Sequence, residues 1–212
     1  WVSLQVAEGV VAGVLAPALA NMGQRYQHLS FDIGIASASQ MVQALRRGDA
    51  DIGLSFFMPR HDDIVPFTNA ELHHYAVMAP DHPLAEAAEI SLHALADHRL
   101  ILPDESYGVR QALERAAHRE GVTLAPTFKT ASLETQKALA LNGAGVLILP
   151  PMAVVRECRL GDLVSIPLSP LELEAARIDL CVYRHRQRSF ATEACLSLLA
   201  GALQTLQASP SW

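Results

Sequence analysis

Asp49 and Asp51, separated by one residue, sit in ALRRGDADIGLSF, residues 44–56. That spacing could offer two carboxylates to a hard cation, which needs several converging oxygens. The sequence places no third acid beside them, and a turn between a helix and a buried strand uses the same residue types to stay hydrated. They read as punctuation. His61-Asp62-Asp63 could contribute to a metal site, but it lies in a proline-bounded stretch, 59–66, read as a polar loop, with no His-x-x-x-His or Cys partner. His73 and His74 are neighbours in an extended segment and point to opposite faces. GAGV at 143–146 precedes a strand, so it cannot present a helix N-terminus to a phosphate. There is no Gly-x-Ser-x-Gly elbow, and Cys158, Cys181 and Cys195 share no Cys-x-x-Cys or nucleophile spacing. No catalytic set is assembled, and no metal or cofactor is expected.

A different chemistry recurs. Glu8-Gly9-Val10, Ser37-Ala38-Ser39, Pro103-Asp104-Glu105-Ser106-Tyr107 and Thr130-Ala131-Ser132 each follow a strand-like run and open a helix-like one. Helix N-termini carry unpaired N–H groups and a positive dipole end, and hydroxyls beside them donate or accept as needed. Four such loops around one cleft would hold a small polar or anionic molecule without transforming it. Ordinary N-capping explains any one serine. Arg110, in the first turn after the third loop, could pair with a ligand carboxylate or be a surface residue.

Elements of alternating type must position these loops. Val2, Leu4 and Val6 alternate as a strand; Val11, Leu15, Leu19, Met22 and Tyr26 recur at helical spacing. Leu29–Ile35 is a strand, and Ser39 is read as the N-cap of a helix that stops at Gly48. Ile52–Phe56 is a third strand. This order predicts a parallel sheet with crossover helices. A second series follows: strands at 75–78 and 99–102, a helix over 108–120, a strand at 128–131 and a helix over 133–141. NGAGVLILPP then stops the helix, with Gly143 left-handed, and enters a buried strand. Residues 152–160 are helical, 163–168 extended and 178–183 a strand. Ala191, Cys195, Leu199, Leu203 and Leu206 mark a final amphipathic helix. The expected fold is α/β with two Rossmann-like lobes: residues 1–71 with 186–212, and residues 72–185. A ligand cleft belongs between such lobes, at the carboxyl ends of parallel strands.

Composition narrows the function classes. The chain has 212 residues, half of them apolar, 18% charged, with a net charge of -6. That suits real cores rather than disorder. Lys129 and Lys137 are the only lysines and no basic run occurs, which argues against a phosphate-binding surface on these residues. Three scattered cysteines suit a reducing compartment, and no apolar run is long enough to span a bilayer. The start at Trp1 reads as a cut fragment, so the cytoplasm is expected; an exported protein whose leader was removed is the alternative.

The sequence resembles the effector-binding (regulatory) domain of LysR-type transcriptional regulators over nearly its whole length. GVLAPAL after the opening strand, ALRRGDADIGLSF, VMAPDHPLA, LILPDES, TASLETQKALALNGAGVLILPPMAV and IDLCVYR carry the likeness through their order and spacing. The resemblance implies a type 2 periplasmic-binding-protein-like fold with a small effector in the cleft, an N-terminal winged helix-turn-helix domain that alone contacts DNA, and a homodimer or homotetramer. It implies effector contacts at Glu8–Val10, Ser37–Ser39 and Pro103–Tyr107. The sequence departs from the family where Glu8-Gly9-Val10 replaces a frequent Ser or Thr, and where Ala38 replaces the common hydroxyl. Glu8 would select a cationic or amino-bearing effector, whereas Arg110 would select a small carboxylate. A transporter's solute-binding protein has the same fold and is the alternative. An enzyme acting on a carboxylate is a third reading, with Glu8 or Asp104 as its only proton-transfer candidates.

Overall fold

The structure, a computed structural model, describes residues 1–169 and 175–208. Residues 170–174, expected in the second lobe, and 209–212, expected in the first, lie outside the described residues. The chain divides into two compact units, Trp1–Leu72 with Arg177–Trp212, and His73–Ala176.

In the first unit, β1 (Val2–Val6) buries Val2, Leu4 and Val6. The helix after it is not one α-helix, as its spacing predicted. A 3-10 turn (Glu8–Val10) and a π turn (Val11–Leu15) precede α1 (Ala16–Arg25). The Ala16 N–H reaches back five residues to the Val11 carbonyl. Pro17, next in line, has no N–H to give, so the wider turn costs no extra donor. β2 (Phe31–Ile35) and α2 (Ala38–Arg47) follow. The N-cap of α2 is Ser37, not Ser39, because Gln40 lies three residues after Ser37 and completes a capping box. Gly48 ends α2 at φ 88°, a conformation that only glycine adopts cheaply. A Cβ there would also sit 2.7 Å from the Arg186 guanidinium, which donates to the Leu45 and Ala50 carbonyls.

β3 (Ile52–Phe56) packs beneath α2. A Cβ on Gly53 would lie 2.9 Å from Met41 Sδ and 3.0 Å from Leu45 Cδ1, so the glycine sets how closely the helix approaches. The stretch 59–66 is only partly a loop, because β4 (Ile64–Leu72) begins inside it. β4 lies at a sheet edge, where Pro66 is tolerated, and its exposed positions mix Pro66 and Phe67 with Asn69 and Glu71, so its alternation is weak in the sequence.

The second unit holds β5 (Tyr75–Met78), α3 (Leu92–Ala96, not anticipated), β6 (Leu100–Leu102), α4 (Gly108–Arg119), β7 (Pro126–Lys129), α5 (Leu133–Leu141), β8 (Val146–Leu149), α6 (Val155–Leu160) and β9 (Val164–Pro167). The chain then returns to the first unit through β10 (Ala176–Tyr183) and α7 (Phe190–Ala208). The second crossing therefore falls at Ala176/Arg177 rather than at 185/186. The reason is pairing: β10 lies antiparallel to β3, with Leu180 opposite Leu54. The first crossing falls at Leu72/His73.

Each sheet is mixed, in the orders β2-β1-β3-β10-β4 and β7-β6-β8-β5-β9. β1 runs parallel to β2 and β3, and β6 parallel to β7 and β8, while β5 is antiparallel to β8 and β9. The all-apolar LIL and VLIL runs of β6 and β8 are buried throughout, as a sheet covered on both faces requires. One face meets α4 through Leu100, Leu102, Leu113 and Ala116; the other is filled by Ile101, Leu147, Ala140 and Val154.

Candidate functional site

The candidate loops occupy equivalent places in the two units. In the first, Val6 pairs with both Ile35 and Leu54, so the three parallel strands end level. Ala7 N–H donates to the Leu54 carbonyl (2.9 Å) and Ala36 N–H to the Val6 carbonyl (3.0 Å). This fastens Glu8–Val10 beside Ser37–Ser39 at the carboxyl ends of β1 and β2. Gly9 eases the packing there: a Cβ would sit 3.0 Å from the Phe56 ring at the end of β3. Glu8 is half-buried and Ser39 exposed, whereas Val10 and Ala38 belong to the core and can offer only backbone to a ligand. Ser37 is buried and spent locally. Its N–H and hydroxyl both donate to Gln40 Oε1 at 3.0 Å, and its Oγ lies 3.2 Å from Ser39 Oγ.

In the second unit the loops after β6 and β7 are neighbours, tied by Thr130 N–H to the Leu102 carbonyl (3.2 Å) and by Lys129 Nζ to Glu105 Oε1 (3.4 Å). Pro103 is buried. Asp104 Oδ1 accepts from the Ser106 hydroxyl (2.6 Å) and N–H (2.9 Å). The hydroxyl first, then the amide, hold its carboxyl below the usual carboxylate range. Tyr107, half-buried, is the N-cap residue of α4, without a side-chain cap. Ser132 caps α5 through the Thr135 N–H (3.2 Å), and Thr130 Oγ1 accepts from Ser132 N–H (3.3 Å).

Arg110 is not a surface residue. It is 6% exposed, and its Nε and Nη2 both point at Glu114 Oε1, each at 2.7 Å. Its Nη1 is buried with no hydrogen-bond partner among the described residues. A guanidinium presents five donors in a fixed fork, and leaving one buried and unmet is costly. Two positioning residues escaped the sequence reading. Gln136 is buried and donates from Nε2 to the Thr130 carbonyl (2.9 Å). Glu114 orients Arg110, and its i,i+4 spacing was the signal available.

The metal-like motifs are occupied otherwise. Asp51 Oδ2 accepts from Ser3 N–H (2.9 Å) and Ser3 Oγ (3.1 Å), locking the start of β3 to β1. Asp49 pairs with Arg47 at the exposed surface. Asp63 takes Arg46 bidentately (2.7 and 3.0 Å), and that guanidinium lowers its carboxyl to about 2. His61 Nδ1 lies 3.2 Å from the same Arg46. His73 is exposed, and His74 is buried, its imidazole lowered to about 4 by desolvation first and by His73 second. Among the described residues no group of three or more His, Cys, Asp or Glu converges on one point, and no helix is long and apolar enough to cross a membrane. All three cysteines are free, and burial pushes Cys181 and Cys195 up to about 12.

The candidate residues thus lie on strand-end loops of two α/β units, where several of them cap helices. Comparison with known proteins gives the family. Residues 2–204 match the LysR substrate binding domain, and the chain belongs to that family. A RuBisCO operon transcriptional regulator of Allochromatium vinosum is 26% identical over 165 residues, covering 77% of this chain and 55% of that protein. The HTH-type transcriptional regulator CysL of Bacillus subtilis is 28% identical over 151 residues, 69% of this chain and 50% of that one. The chain thus spans about half the length of these relatives. Among solved structures, the Synechocystis PCC6803 CcmR regulatory domain in complex with 2-PG aligns with a TM-score of 0.83 at 20% identity, covering 97% of this chain and 98% of that one. The effector binding domain of QuiR in complex with shikimate aligns with a TM-score of 0.82 at 15% identity, covering 96% and 97%. At these identities the likeness is one of fold: two lobes of the periplasmic-binding-protein type.

Proposed function

We propose that this chain is the effector-sensing part of a LysR-type transcription regulator. A small molecule is read by the strand-end loops: Glu8–Val10 and Ser37–Ser39 in the first unit, and Pro103–Tyr107, Arg110, Thr130 and Ser132 in the second. Binding biases the regulator's DNA-bound form by its differential affinity for two states. DNA contact belongs to a winged helix-turn-helix domain outside these residues, and the regulator works as a homodimer or homotetramer. One observation carries the reading: the family match over residues 2–204, on a chain whose strand-end loops hold caps in place of a catalytic set.

Arg110 narrows the effector. A buried guanidinium with an unmet Nη1, beside a loop of serine and tyrosine, suits a small carboxylate. Glu8, on the first unit's loop, would favour an amino group on an effector. A thermal-shift screen of small carboxylates and amino acids against this chain tests the class, since a ligand raises apparent stability by mass action. DNA footprinting of the whole regulator with and without the hit tests the role. A changed footprint supports the reading. An unchanged footprint, with the hit instead carried by a membrane transporter, favours the solute-binding alternative.

A further inference from the structure

The turn after β5 in the second unit is fastened by a histidine. Residues 80–87 read PDHPLAEA. Their backbone folds back on itself: His82 N–H donates to the Ala79 carbonyl (3.1 Å), Ala85 N–H to the His82 carbonyl (2.9 Å) and Ala87 N–H to the Leu84 carbonyl (3.2 Å). Pro83 has no N–H to give. The next one, on Leu84, goes to a side chain: it donates to His82 Nδ1 (3.2 Å). Leu84, Ala85 and Ala87 are half-buried and pack against the core built by Ile90, Leu92 and Leu100.

The His82 ring also meets the His98 ring, in the turn between α3 and β6. Their centroids are 4.8 Å apart and their planes lie at 57°. Both histidines are half-buried. An Nδ1 that accepts a hydrogen bond keeps its lone pair, so the neutral His82 ring carries its proton on Nε2. A second proton can enter only at Nδ1. There it takes away the acceptor of the Leu84 N–H and sets two donors against each other. It also puts a positive charge beside His98, which titrates in the same range. Burial first and His98 second hold the His82 imidazole below the ordinary histidine value, against the opposing pull of Asp81. The other charged groups of these two turns point elsewhere or stand in water: Arg99 lies over the Phe128 ring (5.7 Å), and Glu86 and Asp97 are exposed.

We propose that this turn is an acid-released clasp: a proton on His82 Nδ1 expels the Leu84 N–H, drives the His82 and His98 rings apart and frees residues 80–87 from the core of the second unit. The clasp is separate from the strand-end loops and does not depend on the sensor reading.

The test is NMR of the 212-residue chain between about pH 7.5 and about pH 4.5, the range in which histidines titrate. Imidazole nitrogen shifts should place the proton of neutral His82 on Nε2 and its midpoint below about 6.5. The amide-exchange protection of Leu84, taken relative to its unstructured rate, should fall about tenfold per pH unit below about 6.5, the slope of one linked proton. His82→Asn keeps an acceptor for the same N–H in Oδ1 and cannot titrate, so its Leu84 protection should not vary with pH. His98→Gln should raise the His82 midpoint. His74→Leu should leave the Leu84 slope as it is, which separates the clasp from that buried histidine. A proton on Nδ1 of the neutral ring overturns the proposal, as does Leu84 protection that stays constant while His82 titrates, or an equal slope in His82→Asn.

Discussion

His74 should make the second unit sensitive to acid. Its imidazole is 4% exposed and held at about 4 by burial and by the neighbouring His73. The unfolded chain binds a proton near the ordinary histidine value of about 6.5, so between about 6.5 and 4 the unfolded state carries more protons than the folded one. Stability from this residue is complete above about 6.5 and is lost as pH falls towards 4. At about pH 5 the loss is roughly 2 kcal/mol, approaching about 3 kcal/mol below pH 4. The assay is urea unfolding at about pH 7.5 and about pH 5, followed by tryptophan-independent probes in the second unit such as amide exchange in β5 and β8. His74→Leu should remove about 2 kcal/mol of the difference between the two pH values, whatever it does to stability at neutral pH. An identical pH slope in wild type and His74→Leu would refute the desolvation argument.

Further outcomes follow from packing and chemistry. Gly53→Val should cost about 1–3 kcal/mol, because its side chain meets Met41 and Leu45 with no room to yield; a melting temperature unchanged by calorimetry would count against the close approach of α2. Ser37→Ala removes the capping box of α2 and should lower stability by about 1 kcal/mol, whereas Ser39→Ala should do little, so equal effects would point back to Ser39 as the cap. Of the three cysteines, Cys158 alone should react with a thiol reagent in the native chain, since Cys181 and Cys195 are buried and held near 12; fast labelling of more than one thiol per chain would contradict this.

Local order was readable wherever neighbouring residues decide it. The α5 span, the helix stop at Gly48, the left-handed Gly143, and the buried β3 and β8 runs follow from periodicity and glycine placement. Distant pairing was not readable. β10 looks like the last strand of the second series, and only its antiparallel ladder with β3 assigns it to the first unit. β4 was hidden because an edge strand tolerates Pro66 and leaves Phe67 exposed, which blurs the alternation. The N-cap was misplaced by two residues within Ala36–Ser39, although Gln40, three after Ser37, was the available signal. Among the candidate site residues the types were visible but their exposure was not. Val10 and Ala38 turned out to be core, and Arg110 turned out to be buried, because burial depends on which elements pack above them.

The central claim is that the strand-end loops bind a small acidic effector and release it unchanged. The direct measurement is calorimetric titration of the strongest thermal-shift hit into the wild-type chain and into Arg110→Gln, with the small molecule recovered and weighed by mass spectrometry. One molecule bound per chain, a loss of about tenfold or more in affinity for the variant, about 1.4 kcal/mol or greater, and intact recovery are the predicted result. Equal affinity for both proteins, or recovery of a chemically altered molecule, would contradict it.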